Sequence, residues 1–192
     1  AASIMAQNPI VVALFLTQVV VYGIMAPATY GLLPVYAADI FLVGPTGLGI
    51  LTSSLGVGAI VGVLLTASMG SSFPRGIMAL VTLGISGLAM ITLANTTSFY
   101  LAILTLGIFN AGLVSLTAIK SSGIQSLVPS HFRGRVASIT TMSNGVLPVG
   151  SFVFGTLAQL YDAPTATIVA ASFVFASILG LYIRYPQLVK FQ

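Results

Sequence analysis

The sequence predicts an all-α membrane protein with six transmembrane helices grouped three and three. Three observations carry that prediction. Only 4% of the residues are charged while 57% are apolar, and the mean hydropathy is +1.12. A soluble chain needs about 25% charged residues to wet its surface, so this one must turn its outside to lipid. Apolar stretches long enough to cross ~30 Å of hydrocarbon, at about 1.5 Å per helical residue, recur along the chain. Finally, the basic residues all sort to one side of the zigzag those stretches would make.

Taken in order, the predicted spans are roughly 10–33, 47–69, 76–94, 98–119, 136–158 and 164–184. Turn-forming residues separate them: the stretch from Pro34 to Pro45, then Ser71-Ser72-Phe73-Pro74, then Asn95-Thr96-Thr97-Ser98. A basic segment, 120–135, follows the fourth span and contains Val128-Pro129-Ser130, and Asp162-Ala163-Pro164 precedes the last span. These breaks are short, so consecutive helices are expected to be antiparallel neighbours. The short alternating segments of a membrane barrel are absent.

With six spans, Arg75, the cluster Lys120, Arg133 and Arg135, and the tail residues Arg184 and Lys190 share one face; Asp39 and Asp162 share the other. The positive-inside rule makes the basic face cytoplasmic. Both termini are then cytoplasmic, in the cell (inner) membrane, and 120–135 is a cytoplasmic basic loop. Lys120, at the end of its span, is expected to snorkel toward water. The net charge of +4 does not point to nucleic acid, because six basic residues are too few to track phosphates. There is no cysteine, which excludes disulfides, thiol catalysis and thiolate metal sites. One histidine and two aspartates are too few for an ordinary metal site, and no cofactor is implied. The chain begins Ala-Ala-Ser without a methionine, so a piece of a longer protein is expected.

Polar side chains stand within three spans: Gln18, Asn110 and Asn144. Gln18, Tyr22, Met25 and Thr29 share a face of the first helix, and Asn110, Thr117 and Ser121 share one on the fourth. Two readings stay open. Such carboxamides bond to neighbouring helices for around 0.6–2 kcal/mol each, or they line a substrate cavity between inverted repeats. Small residues recur at Gly58 and Gly62, at Gly107, Ala111 and Ser115, and at Gly145, Gly150 and Gly155; close helix packing is the plain reading. A hinge is the sharper one where Pro148 lies between Gly145 and Gly150, and Pro27 is placed to bend the first span. No catalytic residue emerges. Gly84-Ile85-Ser86-Gly87 offers a serine near mid-bilayer, but His131 lies in a loop and cannot serve as its base. The glycines from Gly56 to Gly62 follow no strand and fail as a dinucleotide loop.

The segment Val128-Pro129-Ser130-His131-Phe132-Arg133-Gly134-Arg135-Val136-Ala137-Ser138 resembles the P-x-x-x-R-G-R-V-x-S loop between the tenth and eleventh helices of major facilitator superfamily exporters. Gly145-Val146-Leu147-Pro148-Val149-Gly150 and Gly155-Thr156-Leu157-Ala158 continue the pattern. Leu33-Pro34-Val35-Tyr36-Ala37-Ala38-Asp39, with Gly47 to Leu51 and Gly56 to Gly62, resembles the seventh and eighth helices of the branch holding enterobactin and macrolide exporters. The loop from Gly70 to Arg75 departs from the family, keeping a glycine and one arginine of a longer gate motif. The family's proton-coupling acids have no counterpart in these spans.

The resemblance implies the carboxy-terminal six helices of a twelve-helix efflux transporter, a 3+3 inverted repeat that rocks against an amino-terminal half, or a second copy, around a midplane cavity. It implies no enzyme activity. Gln18, Tyr22, Asn110 and Asn144 are the expected contacts to a small organic substrate. Arg133 and Arg135 are the expected cytoplasmic gate, with topology and lipid headgroups as their plainer role. The alternative is a six-helix scaffold or partner-binding subunit that assembles through its glycine faces.

Overall fold

Hydrocarbon offers no water to a bare N–H or C=O, so a chain in lipid must satisfy its backbone internally. The computed structural model describes residues 9–69, 74–127, 134, 138, 141 and 143–184, and these are helical apart from short turns. Helix α1 (Pro9–Val20) passes through a π-helical turn (Val21–Met25) into α2 (Ala26–Tyr30); α3 (Leu33–Val35) and a second π turn (Tyr36–Ile40) finish the first crossing. Then come α4 (Gly44–Met69), α5 (Arg75–Asn95), α6 (Phe99–Leu127), a 3-10 turn (Ser143–Val146), α7 (Leu147–Leu160) and α8 (Ala163–Arg184).

Among the described residues, five stretches are long and apolar enough to span a membrane: Phe15–Ile40, Gly44–Ser68, Gly76–Asn95, Phe99–Ser122 and Ala163–Arg184. The predicted span 136–158 lies partly outside the described residues. Its described part, the 3-10 turn and the 14 residues of α7, is not among those five stretches.

The first crossing is longer than its predicted end at residue 33. Pro34 does not end it, because it falls in the opening positions of α3, where a missing N–H costs little. The reversal comes later, where Leu42 and Gly44 take left-handed φ values of 53° and 61°, a region that suits glycine and is uncommon for leucine. Pro27 lies inside the crossing. A proline there removes a donor and crowds the carbonyl four residues back. The preceding π turn, in which the Ala26 N–H reaches the Val21 carbonyl, is the local irregularity such a residue needs. Helix α6 also runs past its predicted end, to Leu127, and carries Lys120 within the helix.

Helix α6 packs against α4 on one side and α5 on the other; α5 meets α8, α8 meets α7, and α7 meets α2 and the first π turn. Contacts of α1 with α6 close the ring. The α4–α6 seam is backbone on backbone. A Cβ built on Gly58 would overlap the Gly107 carbonyl, and one on Gly62 the Ala111 carbonyl. Ser115 Oγ donates across the same seam to the Gly62 carbonyl at 2.9 Å. On the α5 side, Gly112 sits against Ser86, whose hydroxyl donates to the Phe109 carbonyl at 3.2 Å. Gly150 of α7 meets the Gly23 carbonyl and the Pro27 ring. Around these seams Met25, Tyr36, Leu51, Leu83, Met90 and Phe109 are fully buried.

Two measurements test this packing. Gly58→Ala should lower the unfolding midpoint in detergent, by roughly 1–3 kcal/mol, because backbone rather than a flexible side chain must yield. Gly56→Ala, with open space around its site, should stay within about 0.5 kcal/mol of the parent. At the other face, the exposed Asp162 carboxylate caps α8 by accepting the Thr165 N–H at 2.6 Å. That residue's side chain and N–H hold the carboxyl below the usual carboxylate range. A carboxyl depressed in the folded state stabilises above its unfolded pKa and loses that contribution as pH falls through the folded value. The parent should therefore lose thermal stability from about pH 4 downward. Asp162→Asn, which also caps, should give a flatter profile over that range.

Candidate functional site

The polar side chains inside the bundle gather at separate depths, each placed by a different set of helices. Near the start of the first crossing, Gln18 on α1 faces Lys120 on α6 and Asn144 in the 3-10 turn. The Lys120 ammonium donates to Gln18 Oε1, and Gln18 Nε2 donates to Asn144 Oδ1 at 2.9 Å. Lys120 is 3% exposed. It does not snorkel: α6 continues beyond it to Leu127, and its ammonium turns to Gln18 of α1. Asn144 is exposed and Gln18 half-buried, so the group opens outward through its amides.

About 15 Å further along α6 lies a second group. Asn110, 7% exposed, accepts the Tyr30 hydroxyl and donates to the Leu55 carbonyl at 2.6 Å. The Tyr30 ring meets Phe109 edge-on, with centroids 6.0 Å apart. One carboxamide thus ties α2, α4 and α6 together. Closer to the far face, the Tyr36 hydroxyl donates to Thr167 Oγ1 at 2.9 Å and ties the first crossing to α8.

Gln18 and Asn144 are therefore brought into contact, while Asn110 stands apart from them with its own partners. Tyr22 is half-buried at the edge of the main apolar core. On the same helical face, the Thr29 hydroxyl is fully buried without a hydrogen-bond partner among the described residues. Gly145 and Pro148 are exposed, with open space around Gly145, whereas Gly150 is buried. Arg133 and Arg135 lie outside the described residues. Lys120, Tyr30 and Tyr36 were missed as polar contacts in the sequence. The available signal for Lys120 was that the chain carries only two carboxylate side chains, neither near it in the predicted topology.

An apolar groove of about 810 Å³ runs between α4, α5 and α6, lined by residues such as Val57, Val61, Val81, Ile85, Leu104 and Ile108. Its lining suits acyl chains rather than a polar ligand. Among the described residues, no three His, Cys, Asp or Glu side chains gather as metal ligands.

Residues 4–190 match the profile of a family described as transmembrane secretion effector. No curated protein matches the chain.

The second polar group yields a graded prediction. Tyr30→Phe keeps the ring against Phe109 and removes one hydrogen bond, so it should cost on the order of 0.6 kcal/mol. Asn110→Ala removes both bonds of the carboxamide and should cost about 1–2 kcal/mol. Equilibrium unfolding in mixed micelles should rank them in that order.

Proposed function

The chain belongs to the transmembrane secretion effector family of major facilitator transporters, and on that premise we propose that it exports a small organic molecule by alternating access. In this reading it is the carboxy-terminal six-helix part of a twelve-helix transporter, similar to the enterobactin and macrolide exporter branch. Its six helices form a 3+3 inverted repeat in the inner membrane, with both termini cytoplasmic, and rock against an amino-terminal bundle. Family membership supports transport. The observation that carries the reading to particular residues is the Lys120–Gln18–Asn144 group: three polar side chains from separate elements, meeting at one end of the bundle and opening outward through Asn144.

Lipid-embedded polar and ionisable groups are costly and mark ligand pathways. Gln18 and Asn144 serve here as substrate contacts at the cytoplasmic end of the cavity. Tyr22 and Asn110 contribute deeper, Asn110 also holding its three helices in register. Arg133 and Arg135 act as the cytoplasmic gate, pairing with acidic groups or helix carboxyl ends of the other bundle when the inside is closed. Gly145 and Pro148, beside the tightly packed Gly150, let the fifth span bend. The glycine contacts of Gly58 and Gly62 are already made within the chain, which leaves the scaffold reading without a free glycine face at those positions.

The test is accumulation of small fluorescent molecules of differing charge (fluorescein, Nile red and ethidium) in cells expressing the full-length protein. The parent should lower steady-state accumulation of at least one dye. Gln18→Leu with Asn144→Leu, and separately Arg133→Gln with Arg135→Gln, should each reduce export at least about tenfold at equal surface expression, a loss of roughly 1.4 kcal/mol. Export unchanged by the arginine pair would remove the gate role. No export of any dye at full surface expression would count against efflux of such molecules.

A further inference from the structure

We propose that Lys120, Gln18 and Asn144 form a binding site for the anionic group, a carboxylate or its equivalent, of a small organic molecule. The inference rests on the transport reading and deepens it by naming the charge of the substrate.

Lys120 meets no carboxylate among the described residues. Lys120 is 3% exposed, and its hydrogen-bond acceptor among the described residues is a neutral amide oxygen, Gln18 Oε1. The sequence holds two carboxylate side chains, Asp39 and Asp162. Asp39 closes the first crossing, about 30 Å along it from Gln18. Asp162 is exposed and occupied in capping α8. Neither can neutralise the ammonium. A buried cation in a membrane protein pairs with an anion or lies on an ion or substrate path, and among the described residues no carboxylate meets this one.

The surrounding groups fit a ligand of that charge. An ammonium has three N–H donors, of which the Gln18 oxygen takes one. The Gln18 amide N–H, now spent on Asn144, and the exposed Asn144 amide can both turn to an incoming oxygen. The site is thus rich in donors, with one full positive charge and acceptors that are only neutral. Charge-assisted hydrogen bonds of this kind are the strong ones. Its opening lies at Asn144, toward the end of the bundle where the first crossing starts and α6 ends. In the orientation given by the basic residues, that end is the cytoplasmic one, where an exporter loads. A lipid phosphate offers similar chemistry, but Lys120 is 3% exposed and its ammonium is engaged with Gln18 of α1.

The probe is benzoate, with benzamide as its neutral isostere, applied to the full-length protein in detergent at constant ionic strength. Benzoate should raise the unfolding temperature saturably, and benzamide should not. Lys120→Gln should weaken the apparent affinity for benzoate at least about tenfold, Lys120→Arg should keep most of it, and Gln18→Leu should fall between. Should Lys120→Gln fail to fold, the Arg and Leu variants still decide the matter. Equal responses to benzoate and benzamide would overturn the proposal. So would a Lys120→Gln response like the parent's, or no benzoate response at all, which would place a protein carboxylate on the ammonium. A response to phosphatidylglycerol but not to benzoate would assign the site to lipid and overturn it as well. Because binding is read without transport, benzoate binding in a protein that exports nothing would sink the efflux reading and leave this one standing.

Discussion

Helices in lipid are not pressed together by the hydrophobic effect, since acyl chains are as apolar as the side chains they would replace. What holds them is close van der Waals contact and hydrogen bonds that lipid cannot supply. In this chain that constraint falls most heavily on α6. Its Gly107 and Ala111 carbonyls touch Gly58 and Gly62 of α4, and Gly112 leaves room for the Ser86 side chain of α5. A helix held this closely on two sides can position side chains with little play. Both of the first two polar groups, at Lys120 and at Asn110, hang from it.

The placement of polarity follows from that framework. The α4, α5 and α6 surface that faces outward is an apolar groove, while the polar atoms turn toward the first crossing. Asn110 bridges to Tyr30 and Leu55, Lys120 reaches Gln18, and Tyr36 reaches Thr167. The first crossing is therefore the element that all three of these polar groups engage, and it is also the least regular. Two π turns and two prolines interrupt it. The crossing is held by apolar packing as well, through Val21, Met25, Ala28 and Leu32 and through Gly23 and Pro27 against Gly150.

How far the residues announced this differs from place to place. The glycine pairs were readable because spacing of four along a helix aligns them on one face, and only glycine admits a backbone at that distance. Gln18 and Asn144 were readable as polar exceptions in apolar spans. Their contact with each other was not, being a matter of how two segments far apart in sequence pack. Pro34 misled, because a proline's effect depends on whether its missing N–H was needed, and at the opening positions of α3 it was not. Lys120 misled for a related reason: a long stem can reach water or curl inward, and the choice belongs to the helix packed over it.

By itself, the sequence determined that this protein lies in a membrane and that it crosses as helices. Those properties are sums over many residues: apolar length, charge count and turn chemistry. Tertiary structure alone decided which polar groups meet, where the first crossing truly ends, and that one lysine is enclosed without a carboxylate among the described residues. A hydrogen bond between Gln18 and Lys120 depends on the approach of two helices to within a side chain's reach. That distance is set by glycines on other seams and by no local pattern around either residue.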